Sequence, residues 1–244
     1  MKAHSAVAST LVAGLVAVGI SAPPGAAQDT KQGTPATTVA APAPVYKPPL
    51  LGAPAGRVGG GTRSGSARDI FVLSALVPED TGLTVSEQPS LYWFISSATT
   101  LPVEVAISDP RATQPVLETR LPSPVQPGLH RIKLADFGVR LAPGVSYRWS
   151  VTVISDVNRR SRDILAGGVI ERVETPAGLQ AKLAQSRKEE HPFLYAQAGL
   201  WYDALASISE LIEVTPYDAQ LRKQRAGLLN QVGLPELPDE GGIR

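Results

Sequence analysis

The densest chemistry in the chain sits in nine consecutive residues, Ser155-Asp156-Val157-Asn158-Arg159-Arg160-Ser161-Arg162-Asp163. Arg159, Arg160 and Arg162 offer three guanidinium forks, each shaped to hold a carboxylate or a phosphate through parallel N–H donors. That chemistry is recognition of an anion, such as an acidic segment of a partner protein. The competing reading is local: Asp156 and Asp163 close the loop on its own arginines as a surface ion-pair network, which adds little stability. Calcium is a poor fit. Asp156, Asn158 and Asp163 lack the spacing of an EF-hand loop, and three cations beside them would repel the ion.

A second cationic stretch, residues 57–68, reads R-V-G-G-G-T-R-S-G-S-A-R. A phosphate-cradling loop needs G-x-x-x-x-G-K-[ST] ahead of a helix. Here there is no lysine and no helical pattern follows, so the stretch reads as flexible linker with solvated arginines, or as a basic arm that docks on an anionic partner. Histidine occurs at His4, His130 and His191, and cysteine is absent. That removes disulfides, thiolate metal sites and a cysteine nucleophile. His130 lies in L-H-R-I-K-L on a strand, and His191 precedes a proline at a helix start; neither stands beside a Ser or Asp motif. Glu104, Asp109, Glu118 and Asp136 scatter over turns and the polar positions of strands, as solvated surface does. No cofactor and no metal site is expected. With 23 Lys+Arg against 22 Asp+Glu, the chain also lacks the net basic face that nucleic acid requires.

The elements that must hold the arginine loop are strands. Residues 145–154, V-S-Y-R-W-S-V-T-V-I, put Tyr147, Trp149, Val151 and Val153 on one face and Ser146, Arg148, Ser150 and Thr152 on the other. Strict alternation of this kind marks a half-buried antiparallel strand. Further strands are expected at 70–77, 83–85, 91–95, 103–108, 116–121, 129–134 and 164–173, separated by Pro, Gly, Asp and Ser turns. Seven or eight short strands at spacings near ten residues, with no helix between them, predict an antiparallel β-sandwich over 69–175. The run L-A-P-G-V-S-Y-R-W-S-V at 141–151 resembles the approach to the penultimate strand of fibronectin type III modules, so the sandwich is expected to be immunoglobulin/fibronectin type III-like. Trp93 and Trp149 fall on the apolar parity of their strands and belong to the core.

Past Pro176 the apolar period lengthens to that of helices, through Leu179, Leu183, Leu194, Ala198, Leu205, Ile208, Leu211 and Ile212. The run Y-A-Q-A-G-L-W-Y-D-A-L-A-S-I-S-E-L-I-E-V-T-P resembles a tetratricopeptide repeat. Tyr195, Gly199, Trp201, Ala204 and Pro216 stand at the aromatic, turn-glycine, aromatic, small-contact and terminating positions of that motif, and Gly233 lies one repeat length beyond Gly199. Pro192 departs from it by shortening the first helix. One repeat cannot stand alone, so residues 176–234 are expected to form a tetratricopeptide-like helical hairpin packed on the sandwich, giving a mainly β chain with a helical C-terminus. Residues 235–244 read as a flexible tail.

At the other end, residues 1–27 have the form of a secretory signal: a short basic start, an apolar run over 6–20, then Gly25-Ala26-Ala27 as a small-x-small cleavage site. The run is shorter than the roughly 20 residues a transmembrane helix needs, so no stable membrane insertion is expected after cleavage; retention as an uncleaved anchor is the alternative. Residues 28–68 are rich in Pro, Ala, Thr and Gly and read as a disordered linker. The expected location is the bacterial periplasm or beyond.

Several motifs in order, R-V-G-G-G-T-R at 57–63, L-S-A-L-V-P at 73–78, G-L-T-V-S-E-Q-P-S-L-Y-W-F at 82–94, Y-R-W-S-V at 147–151, N-R-R-S-R-D at 158–163 and G-L-W-Y-D-A-L at 199–205, resemble bacterial domain-of-unknown-function family 928. The resemblance covers residues 57–233. It implies an exported bacterial protein, and no substrate, cofactor or catalytic residue comes with it. The function expected is a non-enzymatic protein-binding or scaffold module whose partner is another envelope or signalling protein, with Arg159, Arg160 and Arg162 as its binding residues. A glycan-binding module using exposed aromatics is the alternative, and a hydrolase ranks behind both.

Overall fold

Alternation in the strand β8 (Ser146–Val153) places Tyr147, Trp149, Val151 and Val153 on one face, and all four are buried. In the computed structural model, which describes residues 42–49, 56–63, 70–234 and 237, this strand is the middle of a five-stranded sheet. It is flanked by β5 (Val103–Ser108) and β9 (Ile164–Arg172), both antiparallel to it. Beyond β5 lies β6 (Leu117–Arg120), and β3 (Gly82–Thr84) joins the far side of β9 in parallel, which corrects the expectation of antiparallel pairing at this one edge. Trp149 stands opposite Ile107 on one neighbour and Gly168 on the other. Gly168 is required there: a Cβ would lie 2.6 Å from a methyl of Val77.

A second sheet has the order β1 (Gly60–Arg63), β2 (Ile70–Ala75), β4 (Ser90–Ile95) and β7 (Gly128–Lys133), antiparallel throughout. Every residue of β4 from Leu91 to Ile95 is buried, so its second face is covered as well as its first. The cover is helical. Arg131, opposite Tyr92 on β7, meets the carboxylate of Glu213 at 2.7 Å.

The C-terminal part is four helices, α1 (Leu179–Gln185), α2 (His191–Gln197), α3 (Trp201–Val214) and α4 (Ala219–Asn230). Pro192 sits in the first turn of α2, where a missing N–H leaves no helical bond unmade. Asp218 caps α4 by accepting the N–H groups of Gln220 and Leu221. Gly199 and Gly233, with φ of 76° and 67°, adopt the left-handed backbone that ends a helix. On α3, Ala204, Leu205, Ile208 and Ile212 form the buried stripe.

Helices and sheets share one core, fastened by two indoles. Trp201 Nε1 donates to the Leu76 carbonyl at 2.9 Å, and Trp149 Nε1 donates to the Tyr202 hydroxyl at 2.8 Å. That hydroxyl in turn donates to the carbonyl of Val169 at 3.1 Å. The Tyr202 ring lies so close to Gly82 that a Cβ there would come within 2.5 Å of it.

The linker expected over 28–68 is corrected in two places. Residues 42–49 run over the helices: Lys47 N–H donates to the Ala196 carbonyl, and Tyr46 N–H to the Gln231 side chain, whose amide returns a bond to the Pro44 carbonyl. The Tyr46 ring packs edge-on against Trp201 at 5.0 Å. Arg57 is no solvated cation either. Its Nη1 donates to the carbonyls of Val77 and Val232, tying the β half to the end of the helices, and Val58 bridges to Gly167 before β1 pairs with β2. The tail reading is corrected at Leu237, which packs against the core. The signal segment 1–27, the rest of the linker and the other tail residues lie outside the described residues. Among the described residues, no helix is long and apolar enough to cross a membrane.

Candidate functional site

Between β8 and β9 the arginine loop closes as a single 3-10 turn, Arg160–Arg162. Arg160 is committed on two sides: its Nη2 meets Glu104 of β5 at 2.9 Å and its Nε meets Asp163 at 2.6 Å. Glu104 also receives Arg120 of β6 at 3.0 Å, so one carboxylate serves two guanidinium groups. Arg160 first, and Arg120 with it, hold that carboxyl below the usual carboxylate range. Asp163 further accepts the Ser155 N–H, while Asp156 accepts the Asn158 N–H. The loop is thus tied to the sheet through Arg160 and Asp163, while Asp156 holds only the local turn, accepting the N–H groups of Asn158 and Arg159. Arg159 and Arg162 are exposed and have no ion pair or side-chain hydrogen bond among the described residues.

The two sheet-core tryptophans take no part in a surface. Trp149 is 2% exposed and Trp93 is fully covered, its ring stacked on that of His130 at 4.4 Å. His130 Nε2 lies 2.7 Å from the Gln126 carbonyl oxygen, and His191 Nε2 lies 3.2 Å from that of Leu183.

A second site was not evident from the sequence. A polar cleft of about 310 Å³ opens between the β3–β4 connection, α2 and α3. Its β wall is held by hydroxyls: Thr84 accepts the Ser86 N–H, and Ser86 accepts the Gln88 N–H. Its helical wall carries His191 and Tyr195 from α2, and Asp203, Ser207 and Glu210 from α3. Asp203 accepts the Val85 N–H at 3.1 Å across 118 residues of sequence. Burial pushes its carboxyl up to about 6, against the opposing pull of hydrogen bonds from Val85 and Thr84. Among the described residues, no Lys or Arg lines this cleft. The local signals were present, a hydroxyl-rich turn and an acid in the first turn of a helix, but no spacing rule joins them.

The family model of a Domain of Unknown Function, DUF928, matches residues 58–241. The chain belongs to the DUF928 family. The matched span takes in both sheets, all four helices, the arginine loop and every residue of the polar cleft, so in this DUF928 protein both candidate sites belong to the family domain. Residues 42–49, which hold Tyr46 against Trp201, precede it. No curated protein matches the chain.

Proposed function

We propose that this DUF928 protein is an exported binding or scaffold module that engages an acidic segment of another envelope or signalling protein through Arg159 and Arg162. The observation that carries the reading is the division of labour in the loop. Arg160 is committed to Glu104 and Asp163, and the turn it anchors holds the two other arginines exposed and, among the described residues, unpaired. A turn whose backbone is anchored in this way loses less entropy when its arginines meet a carboxylate than a floppy loop would. The frame we assign to it is an immunoglobulin/fibronectin type III-like sandwich bearing a tetratricopeptide-like hairpin. In support, the sheet orders β1-β2-β4-β7 and β3-β9-β8-β5-β6 suit a Greek-key sandwich. Tyr147, early in the penultimate strand, accepts the N–H of Ala142 as a tyrosine corner does. Glycan binding through exposed aromatics is less favoured, because the three tryptophans are buried and Phe137 and Tyr217 are left as the large exposed rings among the described residues.

The test is capture of partners from envelope extract over a salt series, with wild type, Arg159→Gln/Arg162→Gln and Arg160→Gln compared. The double variant should keep its melting temperature and lose about tenfold or more in partner affinity, and wild-type binding should fade as salt rises. Unchanged binding in the double variant would remove the loop from the interface. A polysaccharide panel run beside it tests the glycan alternative. Export is checked separately: mass spectrometry of the envelope-fraction protein should find Gln28, or its cyclised form, as the first residue, and an intact Met1 in a cytosolic fraction would refute it.

A further inference from the structure

The polar cleft has a composition that selects a different ligand from the arginine loop. We propose that it is a binding site for an alkylammonium group, carried either by a small amine or by a lysine side chain. Two carboxyl groups, Asp203 and Glu210, line it and, among the described residues, no Lys or Arg does. Asp203 is held in place by N–H and hydroxyl donors from the β3–β4 connection, which orient the carboxyl without supplying a positive charge. A half-buried carboxylate in that condition is costly to ionise, and an entering cation offsets the cost. Hydroxyls of Ser86 and Ser207 give an ammonium the further acceptors its three N–H groups need. The ring of Tyr195 adds an aromatic surface, which attracts cations through its face. At about 310 Å³ the cleft suits one such side chain, not an extended chain.

The shape of the cleft is set before any ligand arrives. Thr84 and Ser86 fix the turn on one side, and Tyr202, bonded to Trp149 and Val169, fixes α3 on the other. The site therefore does not depend on the arginine loop or on its partner.

The test is calorimetric titration of the full mature chain at pH 7.5 and low salt with four probes: 1,5-diaminopentane, N-acetyl-lysine methylamide, glutarate and glucose. The diamine and the blocked lysine should bind, with glutarate and glucose silent. A preference for the blocked lysine would name a protein side chain as the source, and a preference for the diamine a free amine; either supports the site. Asp203→Asn should weaken ammonium binding about tenfold or more, and Glu210→Gln, on an exposed position, should weaken it less. Arg159→Gln/Arg162→Gln should leave it unchanged, which separates this site from the partner surface. No heat with either amine, equal binding of glutarate or glucose, or full affinity in a folded Asp203→Asn protein would each overturn the proposal.

Discussion

One phenolic oxygen, that of Tyr202, joins a strand tryptophan to a helix and closes a bond to the backbone of β9. Tyr202→Phe keeps the ring against Gly82 but leaves Trp149 Nε1 and the Val169 carbonyl without it, at a cost of about 1–3 kcal/mol. Urea denaturation of the two proteins measures the difference, and equal midpoints would mean that water replaces the hydroxyl. Asp203 gives a second test with a definite sign. Its folded carboxyl titrates near 6, above its unfolded value, so between about 4 and 6 the native state binds more protons than the unfolded chain. Stability from this group is therefore present at low pH and is lost as pH rises through about 6. Asp203→Asn, which still accepts the Val85 N–H, should gain melting temperature relative to wild type from pH 4 to pH 7. A difference that stays flat over that range would show that Asp203 does not titrate as its burial implies. At this scale Trp149 was legible, because alternation alone puts it inside. Asp203 was not, since its partners lie over a hundred residues away and only the tertiary fold brings them together.

Among the elements, the extended residues 42–49 behave as part of the helical layer. Gly227 has room for Ala43 only because it lacks a Cβ, which would stand 2.5 Å from the alanine methyl. Gly199 likewise faces the Lys47 carbonyl, 2.8 Å from where a Cβ would be, while holding a φ of 76°. Tyr46→Ala should remove the aromatic cover from Trp201 and cost roughly 3 kcal/mol, read as a drop in melting temperature; no drop would mean that the segment lifts off without consequence. Ala204→Leu, at a fully buried position on α3, should overpack the helices by about 1–3 kcal/mol. The strands from β2 onward and the helices were readable from their periods of two and about three and a half, and Pro192 from its effect on the first helix, whereas β1 falls in the stretch read as linker. The docked segment was not. Its Pro and Ala composition argues for a solvated chain, and the single tyrosine that anchors it gives no periodic signal.

For the molecule as a whole, the question is whether the sheets and the helices can exist apart. Polar contacts cross between them at several points: the indole bonds of Trp149 and Trp201, the Arg131–Glu213 ion pair, Asp203 accepting the Val85 N–H, and Arg57 reaching both Val77 and Val232. The apolar core crosses as well, since Tyr92 and Phe94 turn the outer face of β4 into an interior surface once the helices cover it. A chain ending near Thr175 would leave that face and the Trp149 indole in water, an apolar patch of the kind that drives association. A chain starting at Pro176 would keep helices of 7, 7, 14 and 12 residues, too short to hold in water without a partner surface. Both truncations should fail, the first by aggregating and the second by remaining largely unfolded, while the full chain melts in one transition by calorimetry and by tryptophan fluorescence alike. Because the polar cleft has one wall from the β3–β4 connection and the other from α2 and α3, neither fragment should bind an amine. Two separate cooperative melts, or a soluble folded fragment on either side of Pro176, would show that the shared core is not what holds the molecule, or the cleft, together.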